Sequence, residues 1–246
     1  MTEREGAERE GAEEERETSA ASRGAMPTRW GLIVALVVPF FAAPTASALM
    51  IRVFAYEAFE VDGPSIEPTL LHGDRVVVDK AAYGVFLPFA DEAMTGWAAP
   101  EVGDLAVIRS PADNIDIIKR VVALGGQTVE IRDDQVYIDG APLVRSGPRP
   151  CPHDPNEECV VHEERVGDRA WLTSTASYQM PDSMPPLRVP EGHAFVLGDH
   201  RNRSNDSRNP HVGPIPHARF KGRVTWIYWS SDEGVRWDRI GTAVSP

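Results

Sequence analysis

Ile115-Asp116-Ile117-Ile118-Lys119-Arg120-Val121-Val122-Ala123-Leu124 carries the strongest strand signal in the chain. It is dense in β-branched residues and is bounded upstream by the turn-forming Pro111-Ala112-Asp113-Asn114. Side chains alternate along a strand, so Lys119 shares a face with Ile115, Ile117, Val121 and Ala123, where its amine would be desolvated. Weaker strand signals occupy Val53–Val61, Arg75–Asp79, Leu105–Arg109, Gln127–Arg132, Gln135–Ile138, His193–Leu197 and Val224–Trp229. Gly73-Asp74, Gly103-Asp104 and Asp139-Gly140 supply turns between them. Residues 84–100 hold Gly, Pro and Trp without a period and read as a surface loop. The expectation is a mostly β fold, with a core from 54–124 and 191–246 and a smaller β lobe inserted at 125–190.

Upstream of that domain the composition changes twice. Residues 1–29 alternate Glu, Arg, Gly and Ala without an apolar period and read as a disordered cytoplasmic tail. From Gly31 to Ile51 there is no charged residue, and at about 1.5 Å per residue the stretch matches the roughly 30 Å hydrocarbon layer. Residues 30–53 are therefore expected to form one transmembrane anchor. Ala46-Ser47-Ala48 also imitates a signal-peptide cleavage site, and both readings export the downstream domain. Arg16, Arg23 and Arg29 precede the span and only Arg52 closely succeeds it, which puts the large domain on the outer face of a cytoplasmic membrane. Net charge is −12 over 246 residues. With no cluster of Lys and Arg, nucleic acid is excluded as the main partner.

A second stretch, Val61-Asp62-Gly63-Pro64-Ser65-Ile66-Glu67-Pro68-Thr69-Leu70-Leu71-His72-Gly73-Asp74, holds Ser65 in a stiff bend between two prolines. A rigid serine beside a strand is a candidate nucleophile; a plain turn is the competing reading. A nucleophilic serine needs a base, and the chain has only three lysines among 25 basic residues. Arg serves wherever a charge suffices, so a retained lysine suggests an amine is required. Lys80 and Lys221 are then surface charges, and Lys119 stands out by its apolar face. Lowering a lysine from about 10.4 to about 7–8 costs on the order of 4 kcal/mol of ammonium solvation, which burial would supply. Arginine has no neutral form to offer. The competing reading is a lysine snorkelling from a strand edge.

Other chemistry is less well marked. There is no G-x-S-x-G motif, and neither His72 nor His200 becomes part of a triad by standing next to an Asp in sequence. Cys151 and Cys159, the only cysteines, suit a short-loop disulfide in an exported domain. With His153 and His162 they match no zinc spacing, so neither a metal nor a cofactor is expected. The polar run from Gly198 to Arg208 is either a solvated loop or a network in which an Asp206–Arg208 pair supports a serine beside the base. Trp226, Tyr228, Trp229 and Trp237 suit a lipid interface or, by alternation, a packed core.

Taken together, Gly63-Pro64-Ser65-Ile66-Glu67-Pro68-Thr69-Leu70, Gly103-Asp104, Ile118-Lys119-Arg120-Val121-Val122 and Gly198-Asp199 through Ser204-Asn205-Asp206-Ser207-Arg208 resemble the ordered boxes of bacterial type I signal peptidases. The resemblance implies a Ser-Lys dyad endopeptidase whose substrates are the signal peptides of exported preproteins, working as a monomer against membrane lipid. It implies Ser65 as nucleophile, Lys119 as general base, Ser204 orienting the amine, and Asp206 and Arg208 supporting it. The Ser65 backbone N–H would be one oxyanion donor, with the Gly63 N–H or a water as the second. Phe59, Val61, Ile66, Leu70, Ile117 and Ile118 would line shallow pockets that admit small side chains and reject bulk by clash.

Two positions depart from the family: Ile66 replaces the usual Met, and His200 stands where Asn is usual. Near the amine, a protonated His200 would disfavour the ammonium below about pH 6.5. The competing functions are a soluble self-cleaving Ser-Lys repressor, which would lack the exported domain, and a non-catalytic membrane-anchored β module.

Overall fold

A computed structural model describes residues 37–45, 47, 55–87, 90–151, 159–176, 180 and 182–244. The chain divides between Leu49 and Met50 into two units. In the first, residues 37–45 and 47 are helical and exposed. Among the described residues no helix is long and apolar enough to cross a membrane. The tail at 1–29, most of the expected span at 30–53, Ala46, Ala48, Arg52 and His153 lie outside the described residues.

The second unit is built from short strands: β1 (Tyr56–Glu60), β2 (Asp74–Asp79), β3 (Gly84–Val85), β4 (Thr95–Gly96), β5 (Leu105–Arg109), β6 (Asp116–Leu124), β7 (Thr128–Arg132), β8 (Gln135–Ile138), β9 (Ala141–Pro142), β10 (Val144–Arg145), β11 (Arg149–Pro150), β12 (Cys159–Val166), β13 (Arg169–Ala176), β14 (Met184–Arg188), β15 (His193–Leu197), β16 (Ile215–Pro216) and β17 (Phe220–Ser230). The fold is mostly β. A seven-stranded antiparallel sheet runs β1-β2-β17-β5-β6-β15-β16. Two four-stranded sheets, β14-β7-β8-β9 and β10-β12-β11 with β13 beside β12, come from the chain between β6 and β15. Turn chemistry explains β8–β9: Asp139 and Gly140 have φ of 52° and 81°, the paired left-handed conformation a tight hairpin needs.

Alternation places the core. On β5, Leu105 and Val107 join a cluster with Val76, Val78, Val224, Ile227, Ile66 and Leu70, whereas Ala106 and Ile108 join Val121, Val196, Ile215 and Phe220 on the other side. A strand buried on both faces reads as a continuous apolar run, as Leu105-Ala106-Val107-Ile108 does. Val122 and Ala123 pack instead with Val129, Ile131, Val136 and Phe195, under the β7–β8 sheet.

Several expectations from sequence change at the level of packing. The supposed loop at 84–100 carries the β3–β4 pair. Lys80 is no surface charge: it is buried, and its amine lies 3.3 Å from Glu57 Oε2. Lys221 is mostly covered too, bonded to Asp116 at 2.7 Å and set over the Phe59 and Phe86 rings. The apolar face expected around Lys119 is shorter than it reads. Ile115 is exposed and precedes β6, and Ala123 belongs to another cluster. Trp226 and Tyr228 alternate as expected but point outward around buried Ile227, so the packed-core reading of that pair does not hold.

Candidate active site

Ser65 stands in the bend between β1 and β2. The bend is closed by Glu67 N–H to Pro64 O at 3.0 Å and Leu70 N–H to Ile66 O at 3.1 Å, with His200 N–H bonded to Ser65 O at 3.2 Å. Lys119, on β6 opposite Ala106 of β5, reaches the bend from another strand. Its Nζ donates to Ser65 Oγ at 2.9 Å. Lys119 is 4% exposed, and this burial is what pushes the amine down to about 8. The carboxylates of Asp206 and Asp199 pull the other way, and the Arg208 guanidinium adds to the lowering. A neutral amine at that distance can accept the hydroxyl proton.

Phe59, Val61, Ser65, Ile66, Ile117, Ile118 and Lys119 line one cleft of about 150 Å³, together with Glu60, Asp62, Val107 and Asp116. Leu70 is not part of it. It is fully buried in the core behind the bend, with Leu105 and Val224, and supports the cleft without lining it.

Behind the lysine, Asp206 is held by Arg208, whose Nε and Nη2 donate to its two oxygens at 2.8 and 2.7 Å. Asp206 Oδ2 also accepts the Gly198 N–H at 2.9 Å. Gly198 has to be glycine, because a Cβ there would collide with Ser204 and with the Ser65 carbonyl. Ser204 therefore lies against the Gly198 backbone, but the expected hydrogen bond from Ser204 to the lysine amine is absent: Ser204 Oγ has no partner among the described residues. The Gly63 N–H, expected at the oxyanion, instead donates to His72 Nδ1 at 3.3 Å. His200 is buried in the same loop after β15 and meets the bend through its backbone. The charges acting on Lys119 are Asp206, Asp199 and Arg208.

Sequence reasoning missed several groups that hold these parts. Asp199 accepts Arg120 Nε at 2.9 Å, Arg120 Nη2 at 2.7 Å and Thr69 Oγ1 at 2.6 Å. Arg120 also donates to Gly103 O at 2.8 Å. A bidentate pair buried beside the lysine thus ties the bend, β6 and the loop after β15 together. Ser174 of β13 donates its Oγ to Glu67 O and its N–H to Asp199 O, both at 2.8 Å. No local pattern marks a strand serine as such a bridge. Cys151 and Cys159 are paired. Among the described residues no group of His, Cys, Asp and Glu forms a metal site.

The charges around the amine also set a pH dependence. Asp206 stabilises the ammonium of Lys119, so Asp206→Asn should lower the lysine pKa further and move the acid limb of kcat/KM to lower pH. The ratio of kcat/KM at pH 6 to that at pH 9 would rise above the wild-type ratio. A limb displaced to higher pH would count against this electrostatic account.

The Signal peptidase, peptidase S26 family profile matches residues 29–229. Signal peptidase I of Pseudomonas fluorescens is 33% identical over 198 residues, which cover 74% of this chain and 68% of the relative. Probable signal peptidase I-1 of Synechocystis sp. is 31% identical over 226 residues, covering 88% and 91%. Signal peptidase I of Bacillus licheniformis is 30% identical over 188 residues, covering 76% and 83%. With a profile match across most of its length and relatives at this identity, the chain belongs to the signal peptidase, peptidase S26, family.

Proposed function

We propose that this chain is a membrane-anchored serine endopeptidase that cuts signal peptides from exported preproteins after small-x-small sites, with Ser65 as nucleophile and Lys119 as general base. The observation that carries the proposal is the 2.9 Å contact between Lys119 Nζ and Ser65 Oγ, made by an amine whose pKa burial brings down to about 8. Neutral Lys119 takes the Ser65 proton as Oγ attacks the scissile carbonyl. The ammonium then protonates the departing amine, breaking the C–N bond and leaving an ester on Ser65. Lys119, neutral again, takes a proton from the water that attacks the ester, and returning that proton to Oγ frees the acid product.

The Ser65 N–H is the natural oxyanion donor. Gly63 contributes through the shape of the bend while its own N–H is engaged with His72. Asp206 and Arg208 hold the loop after β15 and set the charge around the amine. Ser204 packs against Gly198 in the resting site, with its Oγ available to orient the amine once substrate binds. Residues 125–190 form the inserted lobe and 30–53 the anchor, with the catalytic unit outside the membrane, its outward Trp226, Tyr228 and Trp237 suited to a lipid interface. The enzyme acts as a monomer.

The test is cleavage of a purified preprotein by the detergent-solubilised full chain, with N-terminal sequencing of the product. Release of the mature protein after a small-x-small site is the expected result. Cleavage elsewhere, or none, would overturn the proposal. Intact mass of the same sample reads whether the chain has cut itself after Ala48.

A further inference from the structure

We infer that His72 is a positioning residue for Ser65, acting through the Gly63 N–H and only while its Nδ1 is unprotonated. This rests on the Ser65–Lys119 dyad proposed for the site. Gly63 has φ +85°, and among the described residues no atom beyond its chain neighbours lies within 4 Å of where a Cβ would stand, so side-chain packing does not hold the bend at this position. Ile66 and Leu70 pack the far side of the bend into the core and the His200 N–H holds Ser65 O, which leaves the Gly63 side to hydrogen bonds. Val61 N–H to Asp74 O at 2.8 Å and Gly73 N–H to Val61 O at 3.0 Å anchor its base. Pro64 has no N–H to give. Between that base and Ser65, the Gly63 N–H to His72 Nδ1 bond ties the near side of the bend to its far side.

The same Nδ1 lies 3.4 Å from Asp62 Oδ1. One atom therefore faces a donor and a carboxylate at almost equal distance, and its proton decides between them. Unprotonated, Nδ1 accepts from Gly63; protonated, it donates to Asp62 and the Gly63 N–H loses its acceptor. The other charges nearby are Arg236, which donates to the His72 carbonyl, and Arg239, which binds the Thr69 carbonyl and Asp74. The Glu60–Arg75 pair lies across the β1–β2 ladder.

The consequence separates His72 from a merely structural side chain. Titration of Lys119 alone makes log kcat/KM fall with a slope of one below about pH 8. A proton on Nδ1 breaks the same bond as His72→Ala, so its cost is capped at the same factor and adds to that fall a bounded step of about half to one log unit, steeper than one only locally. His72→Asn places an amide oxygen where Nδ1 stands, accepts from Gly63 at every pH, and should keep near-wild-type kcat at pH 8–9 with the slope held at one. His72→Ala should lower kcat roughly three- to tenfold at pH 8–9, the effect of one hydrogen bond, with KM little changed. His72→Gln carries its oxygen one bond further out and should behave like His72→Ala.

The experiment measures kcat and KM on a preprotein from about pH 5.5 to 9 for the full-length wild type and these three variants, with Ser65→Ala and Lys119→Ala alongside. His72→Ala matching wild type, His72→Asn losing as much as His72→Ala, or an acid slope steeper than one that persists in His72→Asn would each overturn the inference. The last outcome would assign the second proton elsewhere, for instance to His200. Activity remaining in Ser65→Ala or Lys119→Ala would instead refute the dyad itself.

Discussion

Ser65→Ala and Lys119→Ala are each expected to lower kcat/KM for a preprotein by roughly 10⁴–10⁶-fold, and the double variant to be no worse than either single one. Members of one catalytic unit are not additive, because either loss alone already abolishes attack by the serine. Lys119→Arg should be as inactive as Lys119→Ala, since a guanidinium stays protonated and accepts no proton from Oγ. A merely electrostatic role for Lys119 would instead leave Lys119→Arg active. Single-turnover cleavage of a purified preprotein gives the answer.

The same lysine supplies an internal control for folding. Its pKa falls from the ordinary 10.5 to about 8 on folding. Between those values the unfolded chain holds the extra proton, so wild-type stability should rise with pH across that window and reach its floor below about pH 8. The floor reflects a penalty on the order of 3 kcal/mol. Lys119→Met removes it. That variant should be inactive yet more stable than wild type at pH 7, with no rise between pH 8 and 10.5. Urea unfolding at several pH values measures this, and a Lys119→Met less stable than wild type would show that the amine is better accommodated than its burial implies.

The second large effect concerns stability. Asp199→Ala should cost about 3–5 kcal/mol, because it strands the buried Arg120 guanidinium without its counter-charge. Both partners are 1% exposed, and Asp199 also accepts from Thr69. Against a total stability of about 5–15 kcal/mol, a loss of that size should lower the melting temperature by roughly 10 °C or more. Arg120→Met with Asp199→Leu should recover much of it, since an apolar pair leaves no stranded charge. A change in Asp199→Ala below about 1 kcal/mol would mean that water replaces the lost carboxylate.

Strand positions are legible because apolar alternation is local: Leu105–Arg109, Gln135–Ile138 and His193–Leu197 match the folded strands to the residue. The turn at Asp139-Gly140 is legible for the same reason, since its two left-handed residues follow from identity alone. Misreadings arise where a side chain's surroundings come from distant strands. Lys80 reads as a surface charge because nothing near it in sequence shows Glu57 across the β1–β2 region. Leu70 reads as a pocket residue, where a family pattern puts it, yet the fold turns it into the core. His72, Thr69 and Ser174 escape a sequence reading as site residues because a hydrogen bond across a bend or between sheets leaves no periodic trace.

The amino-acid sequence by itself determined the mostly β architecture and the presence of a stiff serine bend, because period, turn chemistry and proline restriction act within a few residues. It also offered Lys119 by residue type and strand face, while Asp206 and Arg208 entered through resemblance to the family's ordered boxes. Only the tertiary structure decided that Lys119 comes within 2.9 Å of Ser65 across 54 positions of chain, and that its amine is buried enough to sit near 8. It likewise decided that the Gly63 N–H is taken by His72 and that Ser204 does not bond the amine. Distances, desolvation and competition for a donor are properties of many strands packed at once, and no stretch of sequence holds them alone.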